Sequence, residues 1–106
     1  MEYFVKTGVS VENRPYRVLL EFPDKAPDGA DPERLIVLYD ADDGMGMVGI
    51  ERTADGLYKR RDDPATHANP AQLMPWVVFD GIQDEGMKQS DSALFLSCWM
   101  SCEKST

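Results

Sequence analysis

The chain has 106 residues, 42% of them hydrophobic and 28% charged, with a formal net charge of -8. That length predicts one domain, residues 1–106, whose core needs neither disulfide nor metal. No apolar run approaches the ~20 residues of a membrane span, and a negative field repels nucleic acid and anionic lipid alike.

Residues 3–11 put Tyr3, Val5, Val9 and Val11 on one side of an extended chain and Lys6, Gly8 and Ser10 on the other, which predicts a strand. After the turn formers Asn13 and Pro15, the run YRVLLEF alternates again, with Tyr16, Val18, Leu20 and Phe22 facing one way. A hairpin follows from this spacing. The segment 23–33, PDKAPDGADPE, reads as a surface loop in which Asp31 and Pro32 open a single helical turn. LIVLY at 35–39 is a continuous β-branched and aromatic run, as expected of a strand covered on both faces at the centre of a sheet.

Asp43-Gly44 and Asp55-Gly56 are hairpin corners, so 35–39, 45–50 and 57–61 form an antiparallel meander, with Gly46 and Gly49 marking a bulge or a close backbone approach in its middle strand. Residues 62–75 supply Asp63 and Asn69 as caps and Pro64 and Pro70 at first-turn positions, predicting one short helical element near 63–74. WVVFDG at 76–81 has strand composition. ALFLSCWM fits both periods, and its length and aromatics favour a strand. The fold class expected is α+β, a small domain dominated by an antiparallel sheet of hairpins and meander.

Residues 40–51, DADDGMGMVGIE, place Asp40, Asp42 and Glu51 as in a calcium loop, yet Gly44, Met45 and Val48 stand where further oxygen ligands and the glycine are required. The embedded GMGMVG spells a dinucleotide motif but leads into a turn instead of a helix, behind acids that repel a pyrophosphate. His67 is the sole histidine, and no nucleophile elbow, metalloprotease motif or phosphate-binding loop is present. Cys98 and Cys102 have the wrong spacing for a zinc ribbon or a redox pair and read as reduced packing residues. The run Lys59, Arg60, Arg61, followed by Asp62 and Asp63, reads as an edge guard or internal counter-charge. Trp76 and Trp99 are assigned to the core.

Twelve acidic and six basic residues fall between positions 21 and 63, so the negative charge gathers in the middle of the chain. With no catalytic motif, the expectation is a non-enzymatic, acidic protein-binding module without cofactor or metal. Its sharpest form is an inhibitor of anti-defence or immunity type that occupies a basic nucleic-acid-binding surface of a partner protein. Asp24, Asp28, Asp31, Asp40, Asp42, Asp43 and Glu51 would stand in for phosphates, and Met45 and Met47 would supply adaptable apolar contact. Direct nucleic-acid and membrane binding are not expected. Two other readings stay open, an assembly component forming homo-oligomers and a divalent-cation-binding domain. The N-terminal MEYFVKTGVS has no signal-peptide pattern, so a cytoplasmic location is expected.

Overall fold

The computed structural model describes residues 1–9, 15–24, 31–41, 44–74 and 88–104. In chain order these form β1 (Glu2–Val9), β2 (Pro15–Phe22), β3 (Arg34–Ala41), β4 (Gly44–Arg52), β5 (Tyr58–Arg60), β6 (Asp63–Ala68), α1 (Pro70–Leu73), β7 (Lys88–Gln89) and α2 (Ser92–Lys104). The strands make one seven-stranded sheet in the order β6-β5-β4-β3-β2-β1-β7, and every pairing is antiparallel. This is the α+β, sheet-dominated class the sequence predicts. Six consecutive strands form a meander, with β3 at its centre.

Period-two alternation sends the side chains of each strand to two faces, and both are covered. Tyr16, Val18, Leu20 and Phe22 join Leu35, Val37, Val48, Ile50 and Tyr58 on one face, with Leu73 and Met74 at the end of α1 packed against them. On the other face Leu19 and Ile36 lie under Phe95, Trp99 and Cys102 of α2. Leu35, Ile36 and Val37 are each fully buried, which contributes about 1.5–3 kcal/mol per side chain before ordering costs. The Tyr58 hydroxyl donates to the Pro32 carbonyl at 2.6 Å, and burial pushes its pKa up to about 12.

Three expected elements differ. Residues 93–102 are helical, because Phe95, Trp99 and Cys102 recur at i, i+4 and i+7 and so form one stripe against the sheet, while Asp91 Oδ1 caps the helix by accepting the Leu94 N–H at 2.7 Å. Residues 63–68 are a strand, since Lys59↔His67 and Tyr58↔Ala68 pairing outweighs the Asp63-Pro64 cap signal. Pro64 is tolerated there beside a register shift in an edge strand. The helix opens only at Pro70, after Asn69, whose N–H donates to Gln72 Oε1 at 3.0 Å. Asp31 and Pro32 open no helical turn, because Glu33 extends the sheet: its N–H donates to the Glu21 carbonyl at 2.7 Å and its carbonyl accepts from Arg52 N–H at 2.9 Å. The strand expected at 76–81 lies outside the described residues.

Glycine makes three tight approaches possible. Gly8, Tyr16, Tyr39 and Gly46 stand in one register across β1 to β4, so each tyrosine ring lies over a neighbouring glycine. A Cβ on Gly46 would collide with the Tyr39 ring. A Cβ on Gly49 would stand 3.1 Å from Arg61 Cδ and from Cys102 Cβ, so this glycine lets the last turn of α2 settle on β4. These are close approaches without a bulge, as β3 and β4 pair without a shift. Gly56, at φ 83°, closes the β4–β5 turn in the left-handed region.

Among the described residues Glu21 is the buried charged one, and Arg34 of β3 grips it with Nε to Oε1 at 2.6 Å and Nη2 to Oε2 at 2.5 Å. The Tyr3 hydroxyl donates to the same carboxylate at 2.9 Å. Burial pulls the Glu21 pKa up, but Arg34 and Tyr3 together outweigh it and hold the carboxyl below its ordinary 4.5. A depressed carboxylate adds stability that is complete above the unfolded value and lost as pH falls through the folded one.

Two outcomes are expected. Gly46→Ala should lower the urea unfolding free energy by about 1–3 kcal/mol, and most of that loss should vanish in a Tyr39→Ala background. Glu21→Gln should cost about 2–3 kcal/mol near neutral pH, with the gap from wild type narrowing as pH drops below about 4.5 in the same denaturation assay.

Candidate functional site

The helix-covered face carries a polar row. Tyr3, Glu21, Arg34, Glu51, Lys59 and His67 stand opposite one another from β1 to β6, so acidic and basic residues alternate across the central strands. Glu51 meets Lys59 at 3.6 Å, and nearby Glu33 meets Arg52 at 3.8 Å. Arg60 donates to both oxygens of Asp62, at 2.8 and 2.7 Å, and Arg61 lies over the Trp99 ring at 4.6 Å. The basic run 59–61 is therefore an internal counter-charge. Trp99 is core, as expected.

At the same end of the sheet Asp24 pairs with the N-terminal amine at 2.5 Å, and Asp31 is exposed before β3. Asp40 and Met45 occupy the opposite end, paired with each other, with Met47 opposite Leu38. Seven strand steps, about 24 Å, separate the two ends. The structure thus brings Asp40, Met45 and Met47 together and sets them apart from Asp24, Asp31 and Glu51. Asp28, Asp42 and Asp43 lie outside the described residues. β3 and β4 pair from Arg34↔Glu51 to Ala41↔Gly44, the hairpin expected around 42–43.

This register bears on metal chemistry. Asp40 is opposite Met45, six residues before Glu51, so the outer acids of the calcium-like stretch are about 20 Å apart and cannot share an ion. Gly44 to Gly49 all belong to β4, leaving no strand-to-helix turn for a phosphate. Among the described residues no three His, Cys, Asp or Glu side chains converge. Cys98 and Cys102 are both thiols, and burial first, then Cys98, pushes the Cys102 thiol up to about 11, the opposite of a reactive thiolate.

Sequence reasoning missed one contact. His67 Nδ1 lies 3.1 Å from Asp55 Oδ2, and Asp55 also accepts from the Thr53 hydroxyl and, at 3.2 Å, from the Leu57 N–H. Thr53 first, then His67 and Leu57, hold the exposed Asp55 carboxyl down to about 2. These bonds close the β4–β5 turn and fasten it to β6. Nothing local in the sequence joins residues twelve apart; only the β5–β6 pairing does.

Between the two ends, Thr7, Arg17, Leu38 and Met47 form another register on the α2 side. Thr7 and Arg17 are exposed and Leu38 and Met47 half-buried, so α2 covers this row less completely than the polar one. A depression of about 370 Å³ opens beside it, lined in part by Thr7, Arg17, Leu38 and Tyr39. Among the described residues, no helix is long and apolar enough to cross a membrane. No protein-family model matches this chain, and neither a curated protein nor a solved structure matches it.

Proposed function

We propose that this chain is a non-enzymatic, acidic protein-binding module that docks on a basic surface of another protein. Its sharpest form is an inhibitor of anti-defence or immunity type, standing where nucleic acid would otherwise bind. The observation that supports this reading is the internal engagement of four of the sheet's cations. Arg34, Arg52 and Lys59 each meet an acid on a neighbouring strand or its extension, and Arg60 meets Asp62 in the turn after β5, so these positive charges are answered inside the fold in a chain whose net charge is -8.

Asp40, Asp42 and Asp43, at or just after the end of β3 in sequence, are the leading phosphate substitutes, with Met45 and Met47 beside them in sequence. Asp28 and Asp31 add a second acidic region, whereas Glu51 and Asp24 already have cationic partners in the fold. Long-range attraction would speed encounter, and methionine contact would lengthen the bound lifetime. A cytoplasmic location accords with a nucleic-acid-handling partner and belongs to the same proposal.

The test is affinity capture with the full chain from host lysate, comparing wild type with Asp40→Lys/Asp42→Lys/Asp43→Lys. The wild type should retain a basic protein whose recovery falls at least tenfold between about 50 and 300 mM salt, and the triple variant should lose it while keeping its circular dichroism. Equal capture by the two forms would refute the acidic docking end.

A further inference from the structure

Cross-strand register leaves one arginine unanswered. In the polar row Arg34 has Glu21 on one side and Glu51 on the other, and Lys59 has Glu51. Arg17, further back along β2, has Thr7 opposite it on β1 and Leu38 opposite it on β3, and neither can answer a charge. Its side chain is exposed, and among the described residues it makes no ion pair.

The hollow of about 370 Å³ beside this row supplies the rest of a site. Its size falls in the range of small-molecule sites, and its lining combines Arg17 and Thr7 with Pro15, Leu38 and Tyr39. Residues opposite one another on one face of a sheet have Cβ atoms about 5 Å apart, so the Thr7 hydroxyl and the Arg17 guanidinium can reach a single ligand group together. A planar guanidinium takes a carboxylate through two parallel N–H donors, and a threonine hydroxyl adds a third. Leu38 and Pro15 offer apolar side chains, which suits a ligand whose remaining part is apolar.

Charge limits the head group. At -8 the chain's field opposes every anion, and Asp40 stands two residues beyond Leu38 in β3. One negative charge is met by Arg17, whereas the second charge of a phosphate monoester finds no further cation in this lining. Burial of an apolar body therefore has to supply part of the affinity.

We propose that the hollow at Thr7, Arg17 and Leu38 binds a small monocarboxylic acid with an apolar body, its carboxylate held by Arg17 and Thr7 and its body lying over Leu38 and Pro15. The sheet then carries two arginine–carboxylate pairings: Arg34 closes on Glu21 within the fold, and Arg17 takes its carboxylate from solution. The site draws on neither Asp42 nor Asp43, so it stands or falls independently of the acidic docking end.

Amide NMR titration of the full chain with phenylacetate provides the test. Phenylacetate should shift the amides of Thr7, Arg17 and Leu38 saturably, with a Kd on the order of 1 mM. Phenylacetamide keeps the ring without the charge, acetate keeps the charge without the ring, and phenyl phosphate carries an extra charge; each should bind roughly tenfold more weakly or worse. Arg17→Gln, at an exposed position, should keep the wild-type circular dichroism and weaken phenylacetate binding by roughly tenfold or more. Asp40→Lys/Asp42→Lys/Asp43→Lys should bind phenylacetate no more weakly than wild type does, which separates this site from the docking end. The proposal is overturned by the absence of saturable shifts up to about 20 mM, by shifts centred elsewhere, by equal binding of any of the three comparison compounds, or by undiminished binding to Arg17→Gln.

Discussion

The Glu21–Arg34 pair organises this molecule more than any other interaction. A carboxylate almost sealed from solvent needs a partner with matching geometry, and the arginine fork supplies two parallel hydrogen bonds from the adjacent central strand. The flat guanidinium also lies over Phe95 at 5.2 Å and Trp99 at 4.8 Å. One side chain therefore joins β2 to β3 and places α2 on the sheet. An apolar pair of equal volume could fill the space, but it would not offer a planar cation that fits both the carboxylate and the rings. Arg61, over the same tryptophan, extends this clamp toward β5.

Clamping the helix with cations has an electrostatic consequence. Basic side chains on β3, β4 and β5 are held against acids at one end of the sheet, and the charge that remains is carried elsewhere. Asp40 stands toward the opposite end, six strand steps or about 20 Å from Arg34.

Much of the sheet is legible in the sequence because alternation carries the signal. Tyr16, Val18, Leu20 and Phe22 share a face as their spacing requires, Leu35 to Val37 are buried on both faces, and Asp55-Gly56 makes its turn. The failures have a common origin in contacts remote in sequence. Leu94, Leu96, Cys98 and Met100 alternate like a strand, but Phe95 and Trp99 have a polar and aromatic platform to pack on only once Tyr3, Glu21 and Arg34 align. His67 sits in proline-rich sequence that suggests a helix cap, and its strand exists because Lys59 pairs with it. For the candidate site, composition revealed the acid surplus but not its partition. The sequence assigns Asp40 and Glu51 to one docking surface, and the β3–β4 register sends them to opposite ends of the sheet.

The central claim is that Arg34 couples the helix to the sheet, and hydrogen exchange on the intact Arg34→Leu variant tests it most directly. The amides of α2 should lose protection by tenfold or more while those at the centres of β3 and β4 retain most of theirs. Unchanged protection in α2, or equal loss in helix and sheet, would contradict the account.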